Sequence, residues 1–323
     1  MTLRLNSSPS QKVTLLVLGA GWTWQFLQPL LKDSNMTFAA TSTTGREGTI
    51  RFKFDHETAD PDQFKKLPTA RYVLVTFPLR GSGLSSKLVK LYSETHHPQS
   101  NSSKSEEEEK ERHTQTKWIL LGSTGIYTQS DWNDPSSPVD TDNQRCIAEN
   151  QLIDLGGCVL NLSGLYGGGR VPRNWVGRVA QDKDALSKKG ALHLIHGRDV
   201  ARGVIALIKK DMNDKSNDDD AVDQRDRHVE LFGRRWILTD CVVYDWWALI
   251  WEFMGESSRE DTPQGVVVED ADNKAKYRRW LMELMDEKEL HALPRPVSQL
   301  GKKLDSRDFW KAVGILPERA LAR

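Results

Sequence analysis

The chain lacks an excess of charge of either sign: 45 Lys and Arg balance 45 Asp and Glu over 323 residues. Binding to nucleic acid or to an anionic membrane by field alone is therefore not expected. Cysteine is scarce. The three present, Cys146, Cys158 and Cys241, are far apart and form no C-x-x-C pair. That excludes a disulfide framework and a thiolate metal site, and fits reduced thiols in a cytoplasmic protein. Long hydrophobic runs are also missing. The apolar stretch at 13–20 is too short to span a bilayer, and no small-residue cleavage pattern follows it, so no membrane association is expected. No internal repeat stands out. What the chain does have is length enough for a substantial core and 11 tryptophans.

The glycines near the N-terminus follow a recognisable order. The apolar, β-branched run 13–18 empties into Gly19-Ala20-Gly21, and residues 25–31 read as a helix. Strand, G-x-G turn and helix form the start of a βαβ unit that cradles the phosphates of a dinucleotide. Gly19 lets the chain turn off the strand, and Gly21 lets backbone approach a pyrophosphate at the helix N-terminus. Trp22 and Thr23 complete the candidate contacts of this turn. Trp24 stands where the G-x-G-x-x-G pattern has its third glycine.

Residues 36–41 read as a second strand, ending in Ser42-Thr43-Thr44-Gly45-Arg46. An acid there would accept hydrogen bonds from a ribose 2′-hydroxyl, but none occurs before Glu47. Small hydroxyl residues with an arginine suit a 2′-phosphate instead. Thr43 and Arg46 are thus candidate contacts, with NADP preferred and NAD the alternative. A third strand over 50–54 leads to Asp55, a candidate adenine contact. The continuous apolar run 72–77 is typical of a buried parallel strand. It ends at Phe77 and Pro78 on the expected cofactor edge, before Gly81-Ser82-Gly83 and a helix over 84–92.

Residues 95–117, with Glu106 to Glu109 in a row, read as a solvated, disordered insertion. Strands over 117–121 and 158–162 follow, then a helix over 200–209. A second polar insertion over 211–228 reads as a surface loop, followed by a strand over 229–238 and a helix over 244–254. In that helix Trp246, Trp247 and Trp251 have the spacing of a buried stripe. Strands separated by helices predict an α/β fold. The expected architecture is a Rossmann-type doubly wound parallel sheet over 1–164. A smaller C-terminal α/β substrate-binding portion over 165–323 is interleaved with late elements of the sheet domain.

Three motifs, in order, carry a family resemblance. Gly122-Ser123-Thr124-Gly125-Ile126-Tyr127 is similar to the Ser-Ser/Thr-x-x-Val-Tyr-Gly element that ends strand five in the extended and atypical short-chain dehydrogenase/reductases, the group containing NAD-dependent epimerases and dehydratases. Leu162 to Arg170 resembles that group's R-x-x-x-x-Y-G-P-G, and Leu194 to Ala201 its I-H-V-D-D-V-A. The stretch 301–314 resembles the end of those chains. The resemblance implies hydride transfer to or from nicotinamide, with Ser123 holding the substrate oxygen. A tyrosine would relay the proton, its pKa lowered by a lysine four residues on.

That Tyr-x-x-x-Lys pair is missing. With Glu149 set on the family's glutamate, Thr141 falls at the tyrosine position and Arg145 at the lysine position, and no tyrosine lies between Tyr127 and Tyr166. A phenol of ordinary pKa, about 10, needs a nearby cation to act as base at neutral pH. Tyr127 and Tyr166 are the remaining candidate donors. Arg145 is a candidate ribose contact and fixed charge, since a guanidinium cannot relay a proton. Arg170, Arg173 and Trp175 follow a glycine turn expected to border the cleft. His196 and Asp199 are expected to form a hydrogen-bonded pair opening the 200–209 helix, with Asp199 as its cap.

Three readings stay open. The chain is an NAD(P)-dependent oxidoreductase acting on a small carbonyl, hydroxyl or sugar-type compound with a different proton donor. Alternatively it is an NADP(H)-binding sensor or scaffold without turnover, or an isomerase or dehydratase-like variant. A small-molecule substrate is the expected partner, with no metal ion, and the protein is expected as a monomer or homodimer.

Overall fold

The computed structural model describes residues 12–46, 48–55, 57, 60–96, 116–216, 229–255 and 271–321. Most of the 95–117 insertion therefore lies outside the described residues. Seven strands form one sheet: β1 (Val13–Leu18), β2 (Phe38–Ser42), β3 (Ile50–Arg51), β4 (Ala70–Val75), β5 (Lys117–Ser123), β6 (Cys158–Leu162) and β7 (Arg234–Leu238). Their order is β3-β2-β1-β4-β5-β6-β7, and every pairing is parallel. The chain leaves β1 toward one edge and returns at β4 to build the other. The switch point of the sheet is thus the gap between the ends of β1 and β4.

Side-chain alternation divides the sheet residues between two cores. Leu15, Val17, Tyr72, Leu74, Ile119, Leu121, Leu160 and Trp236 face one side. There they pack with helix α1 (Trp24–Lys32) and with two helices from the C-terminal half. Leu16, Leu18, Val73, Val75, Leu120 and Val159 face the other, against α2 (Pro61–Phe64), α3 (Leu84–His96) and α4 (Gln144–Asp154). The two C-terminal helices on the first face are α5 (Gly197–Ser216) and, after α6 (Trp246–Phe253) and α7 (Ala271–Glu287), α8 (Arg307–Val313). The sheet is therefore doubly wound, and the C-terminal half completes it. A third cluster joins Val176, Leu186, Trp246, Trp247, Ile250 and Leu281 in a smaller portion beside the sheet. The tryptophan stripe of α6 is core: Trp246 and Trp247 are buried, and Trp251 packs against the same cluster. Among the described residues no helix is long and apolar enough to cross a membrane.

Four local expectations are corrected. The strand expected over 50–54 has only two paired residues, because β2 ends at Ser42 and offers no partner beyond Arg51. The strand expected over 229–238 begins at Arg234, after Gly233 turns the chain at φ +69°. The helix expected over 244–254 starts at Trp246, since Tyr244 and Asp245 pair antiparallel with Leu192 and Ala191. Residues 211–216, expected in a surface loop, continue α5, and 217–228 lie outside the described residues. The polar look of that turn hid a tertiary anchor. Buried Asp211 accepts hydrogen bonds from the Tyr72 hydroxyl (2.6 Å) and Lys117 Nζ (2.5 Å), tying α5 to β4 and β5.

Candidate active site

The C-terminal ends of β1, β4, β5 and β6 surround a cleft of about 320 Å³ at the switch point. The glycine turn forms one wall. Gly19 has φ +96°, and a Cβ there would lie 2.8 Å from Thr76 Oγ1, so only glycine fits. Thr41 Oγ1 accepts the Gly19 N–H at 3.0 Å and fixes the start of the turn. Gly21 is different. Its φ is not in the left-handed region, and a Cβ added there meets nothing nearer than the Gly19 carbonyl oxygen at 4.0 Å. The packing of the protein itself does not require glycine at this position. At the N-cap of α1, Thr23 makes no side-chain capping bond; the Trp24 and Phe26 N–H groups donate to the Gly21 and Thr23 carbonyls, at 3.1 Å each, so that of the first-turn amides the Gln25 N–H is the one left for an anion. Trp24 is buried and edge-on to Phe38 of β2 at 5.9 Å, filling the space that a third glycine would close.

A second turn is tied to the first. Trp22 Nε1 donates to the Gly167 carbonyl at 3.0 Å, and the Arg170 guanidinium stacks over the Trp22 ring at 4.3 Å. Trp22, Thr23, Pro78 and Arg170 all line the cleft. Phe77 stacks on Phe54 beside it. At the outer end of β2, Ser42 Oγ accepts the N–H groups of Gly45 and Arg46, and the exposed Arg46 side chain donates to the Ala20 carbonyl of the glycine turn. Thr43 is exposed next to it. Asp55 Oδ1 accepts the Glu57 N–H at 2.9 Å.

At the other end of the cleft lie Ser123, Arg145 and Ser163. Ser123 Oγ accepts the Gly125 N–H at 3.2 Å, so its own hydrogen remains to be donated. The Ser123 backbone is held from below by Glu149, whose Oε1 accepts the Ser123 N–H at 3.1 Å and whose Oε2 accepts from Asn161 Nδ2 at 2.7 Å. Glu149 is 1% exposed, and burial pushes its carboxyl above the usual range. Gly122 makes the approach possible, because a Cβ there would lie 2.6 Å from Glu149 Oε1. Sequence reasoning used Glu149 only as a landmark and passed over Asn161. The available signal was one amide in the otherwise apolar strand Cys158–Leu162, opposite a glutamate one turn after Arg145.

The two candidate tyrosines are not part of the cleft lining. Tyr127 is buried in a separate cluster with Ile126, Cys146, Ile237 and Leu304, and its hydroxyl points at Asn161 Oδ1, 3.4 Å away. Tyr166 is buried against Leu194, Tyr244 and Leu249, edge-on to His196 at 5.0 Å, with no hydrogen-bond partner for its hydroxyl. Burial pushes both phenols well above their ordinary pKa. Thr141, at the family's tyrosine position, is exposed ahead of α4. The structure thus brings together Gly19, Gly21, Trp22, Thr23, Pro78, Ser123, Arg145 and Arg170, and leaves the phenols apart.

The expected His196–Asp199 pair is corrected. Helix α5 begins at Gly197, so Asp199 lies in its first turn and not ahead of it. Its fully buried carboxylate accepts Arg202 Nη1 (2.8 Å) and the backbone N–H groups of Glu318 and Arg319, clasping the C-terminal segment. His196 Nδ1 instead accepts the Arg198 N–H. A second cavity, of about 490 Å³, is bounded by Trp132, Cys241 and Leu304–Arg307 and shares no lining residue with the cleft. Among the described residues no cluster of His, Cys, Asp and Glu is placed to hold a metal ion.

No protein-family model and no curated protein matches the chain. Solved structures share its architecture. A UDP-glucose 4-epimerase from Bifidobacterium longum, in complex with NAD+ and UDP, is 13% identical, covers 95% of this chain and 94% of its own, and gives a TM-score of 0.52. A short-chain dehydrogenase/reductase superfamily protein from Agrobacterium tumefaciens, with bound NAD, is 10% identical with 95% and 93% covered and a TM-score of 0.51. A functionally unknown conserved protein from Silicibacter pomeroyi DSS is 15% identical with 94% and 93% covered and a TM-score of 0.51. At these identities the likeness is one of fold. The chain has the Rossmann-type fold of short-chain dehydrogenase/reductases and of epimerases among them.

Proposed function

We propose that this chain binds a nicotinamide dinucleotide, NADP in preference to NAD, and passes hydride between it and a small hydroxyl or carbonyl compound, of sugar type or simpler. The observation that carries the reading is the cleft at the switch point: an uncapped helix start and a glycine open to a ligand at one end, and a donating serine hydroxyl at the other. Fold alone would not justify it. Bound there, the nicotinamide ring supplies or accepts the hydride. Gly21, Trp22 and Thr23 hold the pyrophosphate, and Arg170, stacked on Trp22, offsets its charge. Ser123, held in place by Glu149 beneath its backbone, donates a hydrogen bond to the substrate oxygen and keeps its proton. Arg145 supplies fixed positive charge.

Titration with NADPH tests the reading directly. Trp22 lines the cleft, so binding should quench tryptophan fluorescence and raise the thermal midpoint; neither change would remove the proposal. Arg46, tethered across the turn and exposed at the end of β2, is the 2′-phosphate contact. Arg46→Asp should reverse the preference, with NADPH affinity falling about tenfold or more relative to NADH. Equal loss for both cofactors would remove the NADP assignment.

A second reading is favoured by one specific observation. No phenol lines the cleft, and Tyr127 and Tyr166 are turned into other clusters. A cofactor-binding sensor or scaffold would need no proton donor. Ser123→Ala separates the two. As an enzyme, the variant should keep NADPH binding while turnover of carbonyl compounds falls about 10²-fold or more, the scale of a lost oxyanion donor. Wild-type protein that binds NADPH yet turns over no aldehyde, ketone or nucleotide sugar favours the sensor.

A further inference from the structure

The Ser123 end of the cleft contains a cation with no salt bridge among the described residues. Arg145 is partly buried at the start of α4, and the one side-chain hydrogen bond it makes among the described residues is a long contact from Nη2 to the Leu121 carbonyl at 3.4 Å. The carboxylate nearest in sequence, Glu149, is committed to the Ser123 N–H and the Asn161 amide. Asp142 is exposed ahead of the helix. Burial opposes the guanidinium's charge, the Glu149 carboxylate supports it through space without a salt bridge, and Arg80 adds like charge. No ion pair among the described residues includes Arg145 or Arg170.

The two arginines are not equivalent. Arg170 is stacked on Trp22 over the glycine turn, on the side of the helix start, and serves the dinucleotide phosphates. Arg145 reaches Leu121 on β5, the strand that ends at Ser123, and Ser123 pairs with Leu162, the residue before Ser163. Ser163, directly after β6, is 7% exposed and its hydroxyl has no partner among the described residues. A buried hydroxyl and a partly buried guanidinium fork, both short of partners, mark a place where a ligand supplies acceptors.

We infer that the substrate carries a carboxylate or phosphate group, received by Arg145, while Ser123 and Ser163 hold the neighbouring hydroxyl or carbonyl oxygen. This rests on the proposed cofactor reading. A neutral substrate would leave the partly buried guanidinium with only the through-space pull of Glu149, whose oxygens are bonded elsewhere. An anion pairs it bidentately, and the planar fork fixes the orientation of the substrate toward Ser123.

The test uses full-length protein saturated with NADPH, probed with malonate, with inorganic phosphate and with neutral malonamide, at constant ionic strength set with chloride. The readout is thermal shift and tryptophan fluorescence, not turnover. Malonate or phosphate should bind saturably, about tenfold or more tighter than malonamide, and whichever anion binds better identifies the group. Arg145→Met should lose that binding and keep NADPH affinity within about twofold. Arg145→Lys, which keeps charge and fold but not the fork, should bind malonate less well than wild type. Equal binding of malonate and malonamide overturns the inference while leaving the cofactor reading intact. So does competition of the anions with NADPH, which would assign Arg145 to the cofactor. Absence of NADPH binding to wild type overturns both, and is recognised before any anion is added.

Discussion

Gly21→Val is expected to leave the thermal midpoint of the free protein nearly unchanged and to weaken NADPH binding by about 100-fold or more, roughly 2.7 kcal/mol. The two halves of that result have separate causes. The backbone at Gly21 lies outside the left-handed region, and an added Cβ meets nothing nearer than the Gly19 carbonyl oxygen at 4.0 Å. The Cβ of a valine therefore has room in the free protein. In the proposed complex the space it fills is the one through which backbone approaches a pyrophosphate at the start of α1. Gly19→Val gives the contrast. There φ is +96° and the Cβ would lie 2.8 Å from Thr76 Oγ1, so folding itself suffers. Isothermal titration of both variants, with their melting curves, separates a ligand-driven glycine from a backbone-driven one. Unimpaired NADPH binding by Gly21→Val would sink the placement of the cofactor.

The largest expected loss of stability lies far from the cleft. Asp245 and Arg295 form a buried ion pair at 2.6 Å, with side chains 1% and 9% exposed. Asp245 also caps α6 by accepting the Trp247 N–H at 3.0 Å, and it accepts the backbone N–H of Arg295 at 2.9 Å. Arg295 Nη2 donates to the Lys189 carbonyl at 2.7 Å, and the guanidinium stacks over Trp247 at 4.0 Å. One carboxylate thus fixes the start of α6, the 295 segment and the 189 turn together. Asp245→Ala leaves a buried guanidinium without its anion and a helix without its cap. The expected cost is about 3–5 kcal/mol, read as a thermal midpoint lower by roughly 5–10 °C. The double variant Asp245→Ala with Arg295→Met should be less destabilised than the sum of the two singles, since the stranded charge is gone. A single-variant loss under about 1 kcal/mol would mean that the pair is no more than a surface bridge.

The sheet was legible because its signals are local. The apolar runs at 13–18, 72–77, 117–121 and 158–162 are short, continuous and bounded by glycine or polar turns, the pattern of strands buried on both faces. The helical spacing of Trp246, Trp247 and Trp251 likewise requires no tertiary knowledge. Errors gathered where a partner from elsewhere in the chain decides the outcome. Asp211 looks like loop composition until Tyr72 and Lys117 are beside it. Asp199 looks like a cap until the C-terminal segment comes back to it.

The sequence by itself determined the doubly wound fold, the glycine turn at Gly19 and Gly21, and the absence of a tyrosine four residues before Arg145. Backbone propensity, side-chain period and glycine placement act over a few residues and can be read in order. Only the tertiary structure decided which polar groups share the cleft. It joins Ser123, Arg145, Ser163 and Arg170 with the glycine turn, and turns Tyr127 toward Asn161 and Tyr166 toward His196. Those choices rest on burial and on hydrogen bonds between elements far apart in the chain, such as Glu149 beneath Ser123. No local pattern encodes them, because each is a balance of desolvation against a partner that only folding supplies.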